Sequence, residues 1–151
     1  MYYPSLVTST SIIAAMSTVL TVIFSVALYI LFAYSLYEIV RKQEMPNPWL
    51  AWIPIVNMYC VGKLVGNIKV FNLSLTNMEI ILPLAFALFV GLKYIPLVGF
   101  ILSAIGLLVL VLAFHVLYEK FDPDNAFLLT IITAILPVLA APVILFIYRN
   151  K

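Results

Sequence analysis

The chain predicts an all-α fold of the membrane kind: a polytopic bundle of four spanning helices plus one short interfacial or re-entrant helix. Three observations carry this. Of 151 residues, 66% are hydrophobic and 9% charged, where a soluble domain is nearer half and a quarter. Mean hydropathy is +1.20. Met1 to Tyr37 contain no charge at all. A water-soluble fold of this size cannot hide so much apolar surface, so the solvent for most of it is lipid.

The first span is expected over residues 8–40. It has neither Gly nor Pro and ends at Glu38, Arg41 and Lys42. About 33 helical residues cover roughly 50 Å, against a hydrocarbon core of about 30 Å, so this helix must tilt or project. The apolar run is too long for a signal peptide and no basic residue precedes it, which makes it a retained helix. Tyr34 and Tyr37 suit the interface at the charged end. Thr10, Ala14, Ser17, Thr21 and Ser25 recur at three- and four-residue steps, a small-polar stripe suited to close helix contact in lipid.

After the two-proline turn at Met45–Pro48, residues 48–66 read "PWLAWIPIVNMYCVGKLVG". An apolar core of about 14 residues is short for a span and indicates an interfacial or re-entrant helix. Pro54 and Asn57 weaken it further as a lipid-facing helix, while Trp49, Trp52 and Tyr59 fit an aromatic belt. Asn67 to Asn77 form a connector. A second span is expected over 78–93, with Thr76 and Glu79 at capping-box spacing. A third follows over 95–118, so tightly joined that the two must be an antiparallel hairpin. Its Gly99, Ser103, Gly106 and Ala113 share one face as a packing stripe. Asp122 and Pro123 then suit the start of a fourth span over 126–148, bent by Pro137 and Pro142.

"WIPIVN" at Trp52–Asn57 is echoed by "YIPLVG" at Tyr94–Gly99. The likeness reads as local turn chemistry, because the spacing of the surrounding elements does not repeat. From Pro48 onward, the element W-x-A-W-I-P-I-V-N-x-Y followed by G-K-L-V-G resembles a poorly characterised family of small multi-pass bacterial membrane proteins. "YEKFDPDNAF" and "ILPVLAAPVILF" extend the resemblance over roughly the last 100 residues. It implies a bacterial cell-membrane protein and no particular reaction.

Few residues carry chemistry. Formal net charge is +2 and the basic residues are scattered, which argues against nucleic acid as a partner. The lone Cys60 excludes an intrachain disulfide and reads as a packing residue. No hydrolase, zincin, P-loop or dinucleotide motif is present, so no catalytic residue, metal or cofactor is expected. The candidate polar residues are Asn57, Tyr59 and Lys63 on the short helix, Glu79 at the start of the second span, and His115 with Glu119 at the end of the third. In a re-entrant element Asn57, Tyr59 and Lys63 would line a watery site; at the surface they would meet headgroups, which is the preferred reading. Glu79 suits helix capping. His115 and Glu119 share a face; one His and one carboxylate are too few for a tight metal site, leaving an interfacial hydrogen-bonding histidine. Ser17, Thr21, Ser25, Gly99, Ser103 and Gly106 are the packing residues.

The expected function is therefore non-enzymatic: helix packing in the bilayer, with a second copy or a membrane partner. The alternative is an oligomeric channel or a carrier of ions or small solutes. Four spans would put both termini outside by the excess of basic residues on the opposite side. If residues 48–66 cross as well, only the N-terminus is outside.

Overall fold

A computed structural model describes residues 4–70, 73–91 and 98–150. The fold is all-α, with helices α1 (Pro4–Lys42), α2 (Asn57–Val65), α3 (Met78–Gly91), α4 (Val98–Phe121), α5 (Ala126–Ile135) and α6 (Pro137–Tyr148). A 3-10 turn, Pro48–Trp52, precedes α2. The connector before α3 is a small antiparallel hairpin, β1 (Ile68–Val70) with β2 (Leu73–Leu75), in register Ile68↔Leu75. Two helices are long and apolar enough to cross a membrane, α1 over Ser11–Lys42 and α4 over Gly99–Phe121. The Lys93–Leu97 part of "YIPLVG" and its approach lies outside the described residues.

Four contacts tie one end of the molecule together. Lys42 Nζ donates to Asn150 Oδ1 at 3.1 Å. The Tyr148 hydroxyl donates to Asp122 Oδ2 at 2.7 Å. Phe121 and Tyr148 stack, ring centroids 6.3 Å apart. Lys120 Nζ donates to the Leu64 and Val65 carbonyls at 2.6 and 2.8 Å. The ends of α1, α2, α4 and α6 and the start of α5 therefore share one level, the charged end. The start of α3 joins them, because α2 packs on it through Gly62. A Cβ on Gly62 would lie 2.6 Å from the Met78 carbonyl carbon and 2.7 Å from Glu79 Cα.

This geometry corrects the expected fourth span. A straight helix over 126–148 would carry Tyr148 more than about 30 Å from Asp122 at 1.5 Å per residue. Instead, α5 descends, the chain reverses at Leu136 (φ −128°, ψ 61°), and α6 returns. Pro137 drives the break: it has no N–H to continue α5, and it suits the first turn of a new helix. Residues 48–66 are likewise two limbs, not one helix. The Tyr29 hydroxyl donates to the Trp52 carbonyl at 2.7 Å, and Tyr29 lies about 20 Å below Lys42 along α1. The 3-10 limb thus runs down beside α1 and α2 climbs back. Trp52 is near the tip of this hairpin and not in a belt at the charged end. At the turn, Ile55 takes φ 71°, a left-handed conformation that is costly for a β-branched residue.

The core sits in the charged-end half. Leu36, Val40, Val61, Val65, Met78, Leu82, Leu117, Tyr118 and Leu145 are all fully buried, and Cys60 is a buried free thiol among them. The other half is open. Every described side chain of α1 from Ser11 to Ala27 is exposed, as are Phe100, Ile101, Ile105 and Leu108 of α4. The two packing stripes consequently differ. Gly99, Gly106 and Ala113 are buried and Ser103 half-buried, with its hydroxyl oxygen enclosed. Ser17, Thr21 and Ser25 are exposed, and their hydroxyls turn back to carbonyls of their own helix. The capping box also shifts: α3 starts after Asn77, which takes φ 62° and accepts from the Ile80 and Ile81 amides, so Thr76 is outside the cap.

Candidate functional site

The tips of the two hairpins, together with α1 and α4, line one cavity of about 520 Å³ beyond the buried core. Pro54, Ile55, Asn57 and Met58 line it from one hairpin, and Thr133, Pro137, Val138, Ala141 and Pro142 from the other. Leu28 and Phe32 of α1 face Leu107, Leu110 and Phe114 of α4, with Phe86 of α3 beside them. The volume is within the range of small-molecule pockets, about 300–1,000 Å³. Ile55 is 48% exposed and Val138 66%, so the rim is open to the surroundings.

The polar groups of the cavity are nearly all committed. Ser25 Oγ donates to the Thr21 carbonyl and Tyr29 to the Trp52 carbonyl. Thr133 Oγ1 donates to the Leu129 carbonyl at 2.9 Å and so accepts from the Tyr118 hydroxyl, also at 2.9 Å. Asn57 is the exception. It is 4% exposed, and its Oδ1 has no partner among the described residues. Its backbone N–H donates to the Ile53 carbonyl, which leaves the side-chain amide as the one uncommitted polar side chain on the cavity wall among the described residues.

The other candidate residues lie elsewhere. Tyr59 and Lys63 pair with each other on α2, the ammonium 5.7 Å from the ring centroid, toward the charged end. Glu79 sits in the first turn of α3, where a negative charge favours the helix dipole. His115 does not pair with Glu119, which is exposed. It bonds across to α5, Nδ1 to Thr130 Oγ1 at 2.8 Å. The Thr130 proton goes to the Ala126 carbonyl at 2.7 Å, so the imidazole Nδ1–H is the donor. His115–Thr130 and Tyr118–Thr133 form two rungs between α4 and α5. Among the described residues no cluster of His, Cys, Asp and Glu could hold a metal.

Thr133, Tyr29 and Pro137 were not singled out from the sequence as site residues. A visible signal for the rungs is the matched three-residue step: His115 and Tyr118 on one helix, Thr130 and Thr133 on the next.

No protein-family model matches the chain. No curated protein matches it, nor does any solved structure. Function is therefore argued from the site.

Proposed function

We propose that this is an integral membrane protein, suited to a bacterial cell membrane, that binds an apolar molecule between two re-entrant hairpins and performs no chemistry on it. The observation that carries this is the cavity itself: apolar walls at mid-depth, open at the rim, with one uncommitted polar group. In this reading α1, α3 and α4 cross the bilayer. The limb pairs 48–65 and 126–148 enter and leave by the same face. All six acidic residues lie toward the charged end, as do Arg41, Lys42, Lys63, Lys120 and Arg149. The positive-inside rule then favours a charged end facing the cytoplasm, an outside N-terminus and an inside C-terminus.

The test uses the full chain in bilayer discs with radiolabelled tetradecane as probe. Wild type retains the probe saturably, about one molecule per chain. Val138→Trp, which fills the cavity from its exposed rim, weakens retention about tenfold, equivalent to about 1.4 kcal/mol. Retention that never exceeds partition into empty discs would remove the reading.

A second reading is favoured by α1. The Ser11–Ala27 stretch, exposed on every side, has the small-polar stripe of a helix that packs against another copy or a membrane partner. Gly106 is buried within the chain, so the informative change is Thr21→Leu. Wild type runs in mild detergent as a larger species that cross-links, and Thr21→Leu shifts it toward monomer. A wild-type monomer with nothing cross-linked to it rules this out. A path for ions or polar solutes has the least support, since Asn57 is the sole member of its polar set on the cavity.

A further inference from the structure

The polar accounting in the cavity points beyond apolar binding to the chemistry of the ligand's head. A buried amide oxygen without a partner loses its hydration and regains nothing, an expensive state in apolar surroundings. Three kinds of partner could relieve it: water, an anionic or carbonyl head, or a hydroxyl.

Water is a poor fit. A buried water is held by two to four polar groups, and Ser25, Tyr29 and Thr133, whose protons go to carbonyls, offer it only lone pairs and no donor. An anionic head is a worse one, since no charged side chain lines the cavity among the described residues, and an unpaired charge at this depth is costly. A ketone or ester carbonyl only accepts, and so leaves Asn57 Oδ1 as it was. A hydroxyl both donates and accepts. It can donate to Oδ1 and accept from Nδ2, whichever way the amide is turned.

We infer that the cavity selects a neutral, lipid-soluble alcohol, its hydroxyl on the Asn57 amide and its hydrocarbon body between α1 and α4. The inference rests on the binding reading above, and adds that Asn57 reads the head group. The Pro54–Ile55 turn places Asn57 at the first position of α2, on the wall of the cavity beside Met58.

The experiment compares two probes of equal length, 1-tetradecanol and tetradecane, on the full chain in bilayer discs. Affinity is corrected for partition into empty discs. Wild type binds the alcohol about five- to tenfold more tightly than the alkane, the factor expected for one net hydrogen bond in a dry site. Asn57→Leu keeps the branched four-atom shape of the side chain and abolishes that preference, read as the ratio of the two affinities within each variant. Val138→Trp weakens both probes together. Equal affinity of the two probes for wild type, or a preference that survives Asn57→Leu, overturns the head-group assignment and leaves apolar binding standing. A parallel loss of both probes in Asn57→Leu also overturns it, because the residue would then act on the shape of the cavity. Failure of wild type to bind either probe ends both readings.

Discussion

Gly62→Ala lowers unfolding free energy in mild detergent by about 3 kcal/mol, at the upper end of overpacking costs. The reason is that the new methyl would meet backbone. Its Cβ would stand 2.6 Å from the Met78 carbonyl carbon, with the carbonyl oxygen closer still. A crowded side chain can change rotamer; here the first turn of α3 would have to move away from α2. That separation disturbs Val61, Val65, Met78 and Leu82, all buried at the same contact. Gly91, whose Cβ would meet nothing within 4 Å, is the control. Gly91→Ala is neutral or stabilising by about 0.5 kcal/mol through lost chain entropy. Denaturant-induced unfolding followed by circular dichroism measures both. A Gly62→Ala loss below about 1 kcal/mol would mean α2 and α3 are not in backbone contact.

Lys120→Met costs about 2 kcal/mol by the same measurement, the range for hydrogen bonds to a charged group. Lys120 Nζ closes the open end of α2, taking the Leu64 and Val65 carbonyls left without helical partners. A cation at a helix C-terminus is favourable in its own right. Methionine keeps the stem and removes the donor, so lost packing is not mixed into the result. Lys63→Met provides the comparison: its ammonium meets the Tyr59 ring, a contact worth about 0.5–1 kcal/mol where exposed. If the two variants lose the same amount, the cap is not what holds the end of α2.

The long elements were legible because composition and periodicity act over many residues. The length and apolarity of α1 and the Gly99–Gly106 face came from features within one segment, whereas the break of residues 48–66 into a 3-10 limb and α2 was not expected. Asn57 stood out because an amide in an apolar stretch has to be accounted for, but the preferred reading put it at a surface and it is 4% exposed, because the Pro54–Ile55 turn folds the start of α2 inward. The return of α6 was not legible. Residues 126–148 have the length and hydropathy of a span, and the chain reverses at Leu136, a residue with no turn signature. What decides it is tertiary: Tyr148 on Asp122, Lys42 on Asn150, and the rungs from α4. The Lys120 cap is equally silent, because donor and acceptors are 55 and 56 positions apart. His115 was read as a hydrogen-bonding histidine, but its partner, Thr130, was out of sight for a related reason. The i, i+4 spacing brings Glu119 to mind, whereas Thr130 on α5 takes the imidazole and Glu119 is exposed.

The α5–α6 limb pair has one more property as a moving part. Its two ends are pinned at the charged end, and no charged residue lies between Ala126 and Tyr148. On the membrane placement proposed above, lifting its tip away from α4 would therefore drag no ion through hydrocarbon. The work is the loss of apolar contact and of the two rungs, His115–Thr130 and Tyr118–Thr133. Those two bonds act as a latch beside the cavity, and on the binding proposed above the strength of the latch would set how fast a molecule dissolved in a bilayer exchanges with one held inside.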